Sequence, residues 1–117
     1  MTGNPTMLRI DYIEFNVADI KVAKAFYGTA FGWTFKDYGP EYCEFGDGRL
    51  TGGFTTFGKP NPGGPLVILY ADRLEEAQAM VEKAGGKIVK QITPFPGGRR
   101  FQFSDADGYE LAVWSKD

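Results

Sequence analysis

A chain of 117 residues with 43% apolar and 24% charged side chains has the length of one domain and the composition of a globular protein, which excludes disorder. Its net charge of −2, without a long basic run, excludes electrostatic attraction to nucleic acid or an anionic membrane. With no histidine and a single cysteine, Cys43, imidazole triads, Cys/His zinc sites and internal disulfides are excluded. Chemistry is left to carboxylates, Tyr, Lys, Arg, one thiol or a borrowed cofactor, and no cofactor is expected. The longest apolar run, Leu66 to Ala71, is far short of the roughly 18 residues of a membrane span. The polar start Met1-Thr2-Gly3-Asn4-Pro5 lacks the pattern of a signal peptide, so a cytoplasmic protein is expected.

Arg9 to Val17 alternates, with Ile13, Phe15 and Val17 on one side and Tyr12, Glu14 and Asn16 on the other, as a half-buried strand does. Asp19 can cap a helix running to Phe31, with Ile20, Ala23, Phe26, Tyr27 and Ala30 as its apolar stripe and Gly32 as its stop. Strands are expected over Trp33 to Tyr38, Glu41 to Phe45 and Leu50 to Phe57, with an Asp47-Gly48 hairpin turn between the last two. The stretch Gly58 to Pro65 has no periodicity and reads as a connector. The pattern then restarts. Leu66 to Ala71 is a strand, and Asp72 opens a second helix with Glu75 at the spacing of a reciprocal cap. Leu74, Ala77, Val81 and Ala84 form its stripe, and Gly85-Gly86 its end. Strands follow at Lys87 to Ile92, Arg99 to Ser104 and Tyr109 to Ser115, parted by Pro94 to Gly98 and by Asp105-Ala106-Asp107-Gly108.

Each half therefore reads β-α-β-β-β, module 1 at about 7–57 and module 2 at about 66–116, joined by 58–65. A half of that size buries its helix and sheet poorly. The expected fold is α+β, a single domain over 1–117 in which two paired modules form a curved mixed sheet around a cavity, helices on the convex side.

The turn Asp105 to Gly108 pairs Asp105 with Tyr109. Phe101, Phe103, Leu111 and Val113 then share one face, and Arg100, Gln102, Ser104, Glu110, Ala112 and Trp114 the other. The same counting puts Cys43, Phe45, Leu50, Gly52 and Phe54 on the helix side of the first module, opposite Tyr42, Glu44, Thr51, Gly53 and Thr55. The concave face then collects Tyr12, Glu14, Asn16, Tyr42, Glu44, Leu66, Ile68, Tyr70, Arg100, Gln102, Glu110 and Trp114. Aromatic walls with a few convergent polar groups suit a small-molecule pocket. A solvated face, or one covered by a second subunit, has the same composition.

The run Phe15-Asn16-Val17-Ala18-Asp19 through Phe26-Tyr27, then Phe31-Gly32-Trp33, Ala84-Gly85-Gly86-Lys87 and Asp105-Ala106-Asp107-Gly108-Tyr109-Glu110-Leu111 resembles the glyoxalase/bleomycin-resistance/dioxygenase proteins, the vicinal oxygen chelate superfamily. Among them the chain looks most like short members related to lactoylglutathione lyase. The resemblance implies paired modules, a ligand cavity in a curved sheet, and a homodimer. It also implies a divalent-metal site at four positions, which here are Tyr12, Gly53 or Gly52, Leu66 and Ala112. None of these is a His, Gln or Glu ligand, so no metal is expected there.

Glu14 is the candidate catalytic base, since burial would raise its pKa. Tyr12, Tyr42, Glu44, Arg100, Gln102, Glu110 and Trp114 are the candidate ligand-binding residues. Glu14, Glu44 and Glu110 admit a displaced metal site, or simply exposed glutamates paired with basic groups. Arg99 and Arg100 can clamp an anionic group, or Arg100 can pair with Glu110 or Glu14. Tyr42 and Trp114 can also serve as packing or dimer contacts. Cys43 reads as an inert core thiol. Three functions follow: a small-molecule binding protein without the usual metal, a lyase or isomerase using Glu14 or a relocated metal, and an interaction module whose concave face a partner fills.

Overall fold

The computed structural model describes residues 8–61 and 63–116. The polar start, the module boundary at residue 7 and Pro62 of the connector lie outside them. The chain divides into two compact units, one of Tyr12–Leu66 and one of 67–116 with 8–11. Among the described residues no helix is long and apolar enough to cross a membrane.

β1 (Arg9–Asn16), which lies in the first unit from Tyr12 onward, leads into α1 (Ile20–Phe31), followed by β2 (Thr34–Asp37), β3 (Tyr42–Gly46) and β4 (Thr51–Thr55). β1 pairs parallel with β4, β4 antiparallel with β3, and β3 antiparallel with β2, a mixed sheet. The helix starts and stops where local chemistry directs. Asp19 is extended, and its carboxylate accepts from Lys21 N at 2.9 Å and Val22 N at 3.4 Å. Gly32, at φ 72°, takes the left-handed turn and donates to the Gly28 carbonyl at 3.0 Å.

The α1 stripe is narrower than expected. Ile20 and Ala23 are buried and Tyr27 half-buried, but Phe26 is 58% exposed and Ala30 lies on the surface. Phe26 falls on the flank of the buried arc, where its ring meets Tyr27 and Phe31 edge-on. The core beneath is aromatic. Trp33 stacks between Tyr27 at 4.7 Å and Phe45 at 4.6 Å, and fully buried Phe54 meets Phe15, Tyr27 and Phe45. Gly52 makes this approach of strands feasible, because a Cβ there would run into the Ile13 carbonyl oxygen and the Phe45 ring.

The turn between β3 and β4 sits one residue later than expected. Gly48-Arg49, not Asp47-Gly48, is the two-residue link, closed by Asp47 N to the Leu50 carbonyl at 3.1 Å. The Asp47 carboxylate fixes it by accepting from Arg49 N and Leu50 N at 2.8 and 2.6 Å. Moving a turn centre by one residue shifts the register by two, so every side chain keeps its expected face.

The second unit holds β5 (Leu66–Tyr70), α2 (Leu74–Lys83), β6 (Lys87–Phe95), β7 (Gly98–Ser104) and β8 (Glu110–Ser115). β5 pairs parallel with β8, and β8, β7 and β6 run antiparallel in turn. The reciprocal cap of Asp72 and Glu75 does not form. Arg73 is the N-cap residue and makes no side-chain cap bond, while Glu75 accepts from both terminal guanidinium nitrogens of Arg99, at 2.5 and 3.2 Å. Ala84, expected in the buried stripe, is exposed. β6 continues through Pro94 to Phe95 because it pairs with β7 alone in this unit, and an edge strand tolerates a residue without N–H. The Asp105 hairpin forms as expected, with Asp105 N bonded to the Tyr109 carbonyl at 3.0 Å and Gly108 at φ 90°. Ala71, Leu74, Ala77, Phe101 and Val113 make its core.

The described residues thus contain eight strands and two helices in two β-α-β-β-β units, the expected α+β class. In each unit the helix packs on the face carrying Phe45 and Phe54, or Phe101 and Val113. Strand alternation turns the polar candidates to the other face.

Candidate functional site

The polar face of the first unit is organised around a residue with no side chain. In register, Gly53 on β4 stands between Glu14 on β1 and Glu44 on β3. Tyr12 and Tyr42, on those same flanking strands, bring their hydroxyls together at 2.7 Å. A Cβ at Gly53 would collide with both hydroxyls, so the glycine makes the space in which they meet. Tyr42 also donates to Glu14 Oε2 at 3.1 Å. All three side chains are half-buried.

Burial and the negative charges of Glu44 and Glu14 push the Tyr12 phenol up to about 12, against the opposing hydrogen bond to Tyr42. Burial, and then the Glu14 carboxylate, holds the Tyr42 phenol far above its ordinary value. Both phenols therefore keep their protons throughout the physiological range. The Tyr42 hydroxyl joins Tyr12 to Glu14.

On the polar face of the second unit, Arg100 donates to Gln102 Oε1 at 3.1 Å, and Gln102 Nε2 lies 3.5 Å from Glu110 Oε1. Gln102 thus stands between the expected pair of Arg100 and Glu110. Trp114 faces Arg100 in register, and its indole donates to Asp11 Oδ2 at 2.9 Å while its ring meets Tyr70 edge-on at 4.9 Å. The Phe95 ring lies 6.1 Å away on the same indole. Arg99, offered as an anion clamp, is instead paired with Glu75. Cys43 is fully buried, and burial raises its thiol, as an inert core residue requires.

The structure brings together Tyr12, Glu14 and Tyr42, with Glu44 across Gly53, and separately Arg100, Gln102, Glu110 and Trp114. Sequence reasoning missed the role of Gly53 and the contact of Asp11 with Trp114. A glycine on a strand face was the available signal for the first; nothing local marked the second, whose partners lie 103 residues apart. Two shallow depressions are present, one of about 150 Å³ that takes in Glu44 along with Lys36 and Thr51, the other of about 210 Å³ beside Gly86 and Ala106. Both are smaller than the roughly 300–1,000 Å³ of drug-sized sites.

The residues do not fit the divalent metal that the resemblance implies. At the positions it names, Tyr12 keeps its proton, the space over Gly53 is taken by two phenols, the Cβ space of Gly52 by a carbonyl and an aromatic ring, and Ala112 is a buried methyl group. Among the described residues no three His, Cys, Asp or Glu side chains gather as a metal site.

A family model described as the Glyoxalase/Bleomycin resistance protein/Dioxygenase superfamily matches residues 9–113. No curated protein matches the chain. Among solved structures, a glyoxalase/bleomycin resistance protein/dioxygenase superfamily member from Vibrio splendidus is 18% identical over 94% of this chain and 99% of that one, with a TM-score of 0.70. The Mn(II)-bound glyoxalase from Novosphingobium aromaticivorans is 23% identical over 95% of this chain and 40% of that one, with a TM-score of 0.67. Methylmalonyl-CoA epimerase from Mycobacterium tuberculosis is 13% identical over 99% and 93%, with a TM-score of 0.68. At these identities the likeness is one of fold.

Proposed function

The chain belongs to the Glyoxalase/Bleomycin resistance protein/Dioxygenase superfamily, and we propose that it binds a small organic molecule against the Tyr12, Glu14 and Tyr42 face without the family's metal. The observation that carries this reading is the hydrogen-bonded set of two phenols and a carboxylate, at 2.7 and 3.1 Å, over a glycine at the metal-ligand position. Half-buried polar groups held in one geometry bind a ligand without first having to be ordered. Glu44, on the same face, belongs to that proposed set, and Arg100, Gln102, Glu110 and Trp114, gathered on the polar face of the second unit, are proposed as a separate set of ligand-binding residues.

A second reading, a metal-independent lyase or isomerase with Glu14 as base, is favoured by the Tyr42 hydroxyl on Glu14 Oε2. A phenol there orients the carboxylate, which can take a proton from a bound substrate and return it at another atom. The two readings part on turnover. Protein purified without chelators is expected to carry far less than one divalent ion per chain, and a panel of small organic acids, amines and alcohols is expected to include a member that raises its Tm. Glu14→Gln is expected to remove most of that shift. A stoichiometric tightly held cation, or a Glu14→Gln variant with unchanged affinity and turnover, sinks the assignment.

A further inference from the structure

We infer that the Tyr12, Tyr42 and Glu14 chain has a fixed proton order that selects ligands donating a hydrogen bond to Tyr12 Oη, an ammonium or hydroxyl group, over ligands offering only a carboxylate, phosphate or enolate oxygen. The inference rests on the small-molecule reading above and names the ligand class of that site.

The order follows from counting protons. A phenol has one proton to give, and an ionised carboxylate none. Tyr42 gives its proton to Glu14 Oε2. The 2.7 Å contact between the two hydroxyls must then use the proton of Tyr12, accepted by the oxygen of Tyr42. With that proton spent inwardly, the open end of the chain is the lone pairs of Tyr12 Oη. The last atom of the chain is thus an acceptor, and a ligand meeting it with another acceptor leaves both unpaired, which is costly in a half-buried place.

Two further features point the same way. Gly53 supplies no side chain that could donate in place of a ligand, and its Cβ position is taken by the two hydroxyls. The carboxylates of Glu14 and Glu44 both act on Tyr12 as negative charges, which a donating group at Tyr12 Oη meets more favourably than an accepting one.

Benzylamine, benzyl alcohol and benzoate are probes of similar shape that differ in the group offered. Their affinities can be read by NMR from the ring signals of labelled tyrosine, with Tyr12 and Tyr42 identified by their Phe variants. Wild-type protein is expected to bind benzylamine about tenfold or more tightly than benzoate, with benzyl alcohol between them, about the effect of one charge-assisted hydrogen bond. Tyr12→Phe is expected to erase the preference. In Glu14→Gln the carboxamide can donate to Tyr42, so the chain can reverse and free the Tyr12 proton. There the ratio is expected to fall at least severalfold towards benzoate. Wild-type protein that takes benzoate as tightly as benzylamine at Tyr12, or a Glu14→Gln variant with the wild-type ratio, overturns the proton order while leaving ligand binding intact. Probes that move neither tyrosine's signals at any concentration overturn the small-molecule reading, and the proton order as a selector with it.

Discussion

In Tyr12–Leu66 the helix opens on a carboxylate that accepts two backbone N–H groups and closes on a left-handed glycine. In 67–116 it opens on Arg73 without a side-chain cap, and a carboxylate of its first turn is drawn instead to Arg99 on β7. The cores differ too: stacked rings of Tyr27, Trp33, Phe45 and Phe54 in one, and Ala71, Leu74, Ala77 and Val113 around Phe101 in the other. Two units of one topology thus stand on different local devices. Topology follows the order and periodicity of apolar positions, while caps and packing partners are interchangeable.

The sharpest way to break that comparison is to remove the largest buried group of the aromatic core. Phe54→Ala is expected to cost about 3–5 kcal/mol and Leu74→Ala in the second unit about 2–5 kcal/mol, read by urea unfolding. A Phe54→Ala loss below that of Leu74→Ala would deny the aromatic stack its leading role.

The next effect in size is alkaline. The Tyr12 pKa in the fold stands at about 12, above the ordinary phenol value of 10.0, so the folded state holds a proton that the unfolded state gives up first. The associated stability is fully present below pH 10 and is lost as pH rises through 12, about 1–2 kcal/mol once solvent screening of the part-exposed phenol is discounted. Unfolding free energies between pH 9 and 12 are expected to fall less steeply in Tyr12→Phe than in wild type, and parallel curves would refute it.

The smallest expected effect separates the two helix starts. Asp19→Ala is expected to cost about 1 kcal/mol, and Arg73→Ala at most a few tenths, since no cap bond is lost. Equal losses in thermal unfolding would mean that the cap at Asp19 contributes nothing beyond its exposed neighbours.

Much of this was legible in the chain, because it rests on interactions between near neighbours. The Asp19 cap, the Gly32 stop, the Asp105 hairpin and the sorting of Phe101, Phe103, Leu111 and Val113 from Arg100, Gln102 and Trp114 span a few residues each. Misreadings occurred where a distant partner competed. Glu75 had the spacing of a cap, but a bidentate Arg99 lies within reach on β7. Pro94 looked like a strand end, and the edge position of β6 removed the reason for one. Phe26 matched the helical stripe and still faces outward, since the sheet covers a narrower arc of α1 than the apolar pattern spans.

Residue order and periodicity alone specified the elements, the duplication and the faces on which Tyr12, Glu14, Tyr42 and Glu44 sit, and the family resemblance marked Tyr12 and Gly53 as positions without the family's ligands. The proton-sharing of Tyr12, Tyr42 and Glu14 over Gly53, and the bond from Trp114 to Asp11, exist only once the strands are laid side by side. Alternation tells a side chain which way to face, but a hydrogen bond needs its partner placed to within a few tenths of an ångström, and that placement comes from strand register and packing.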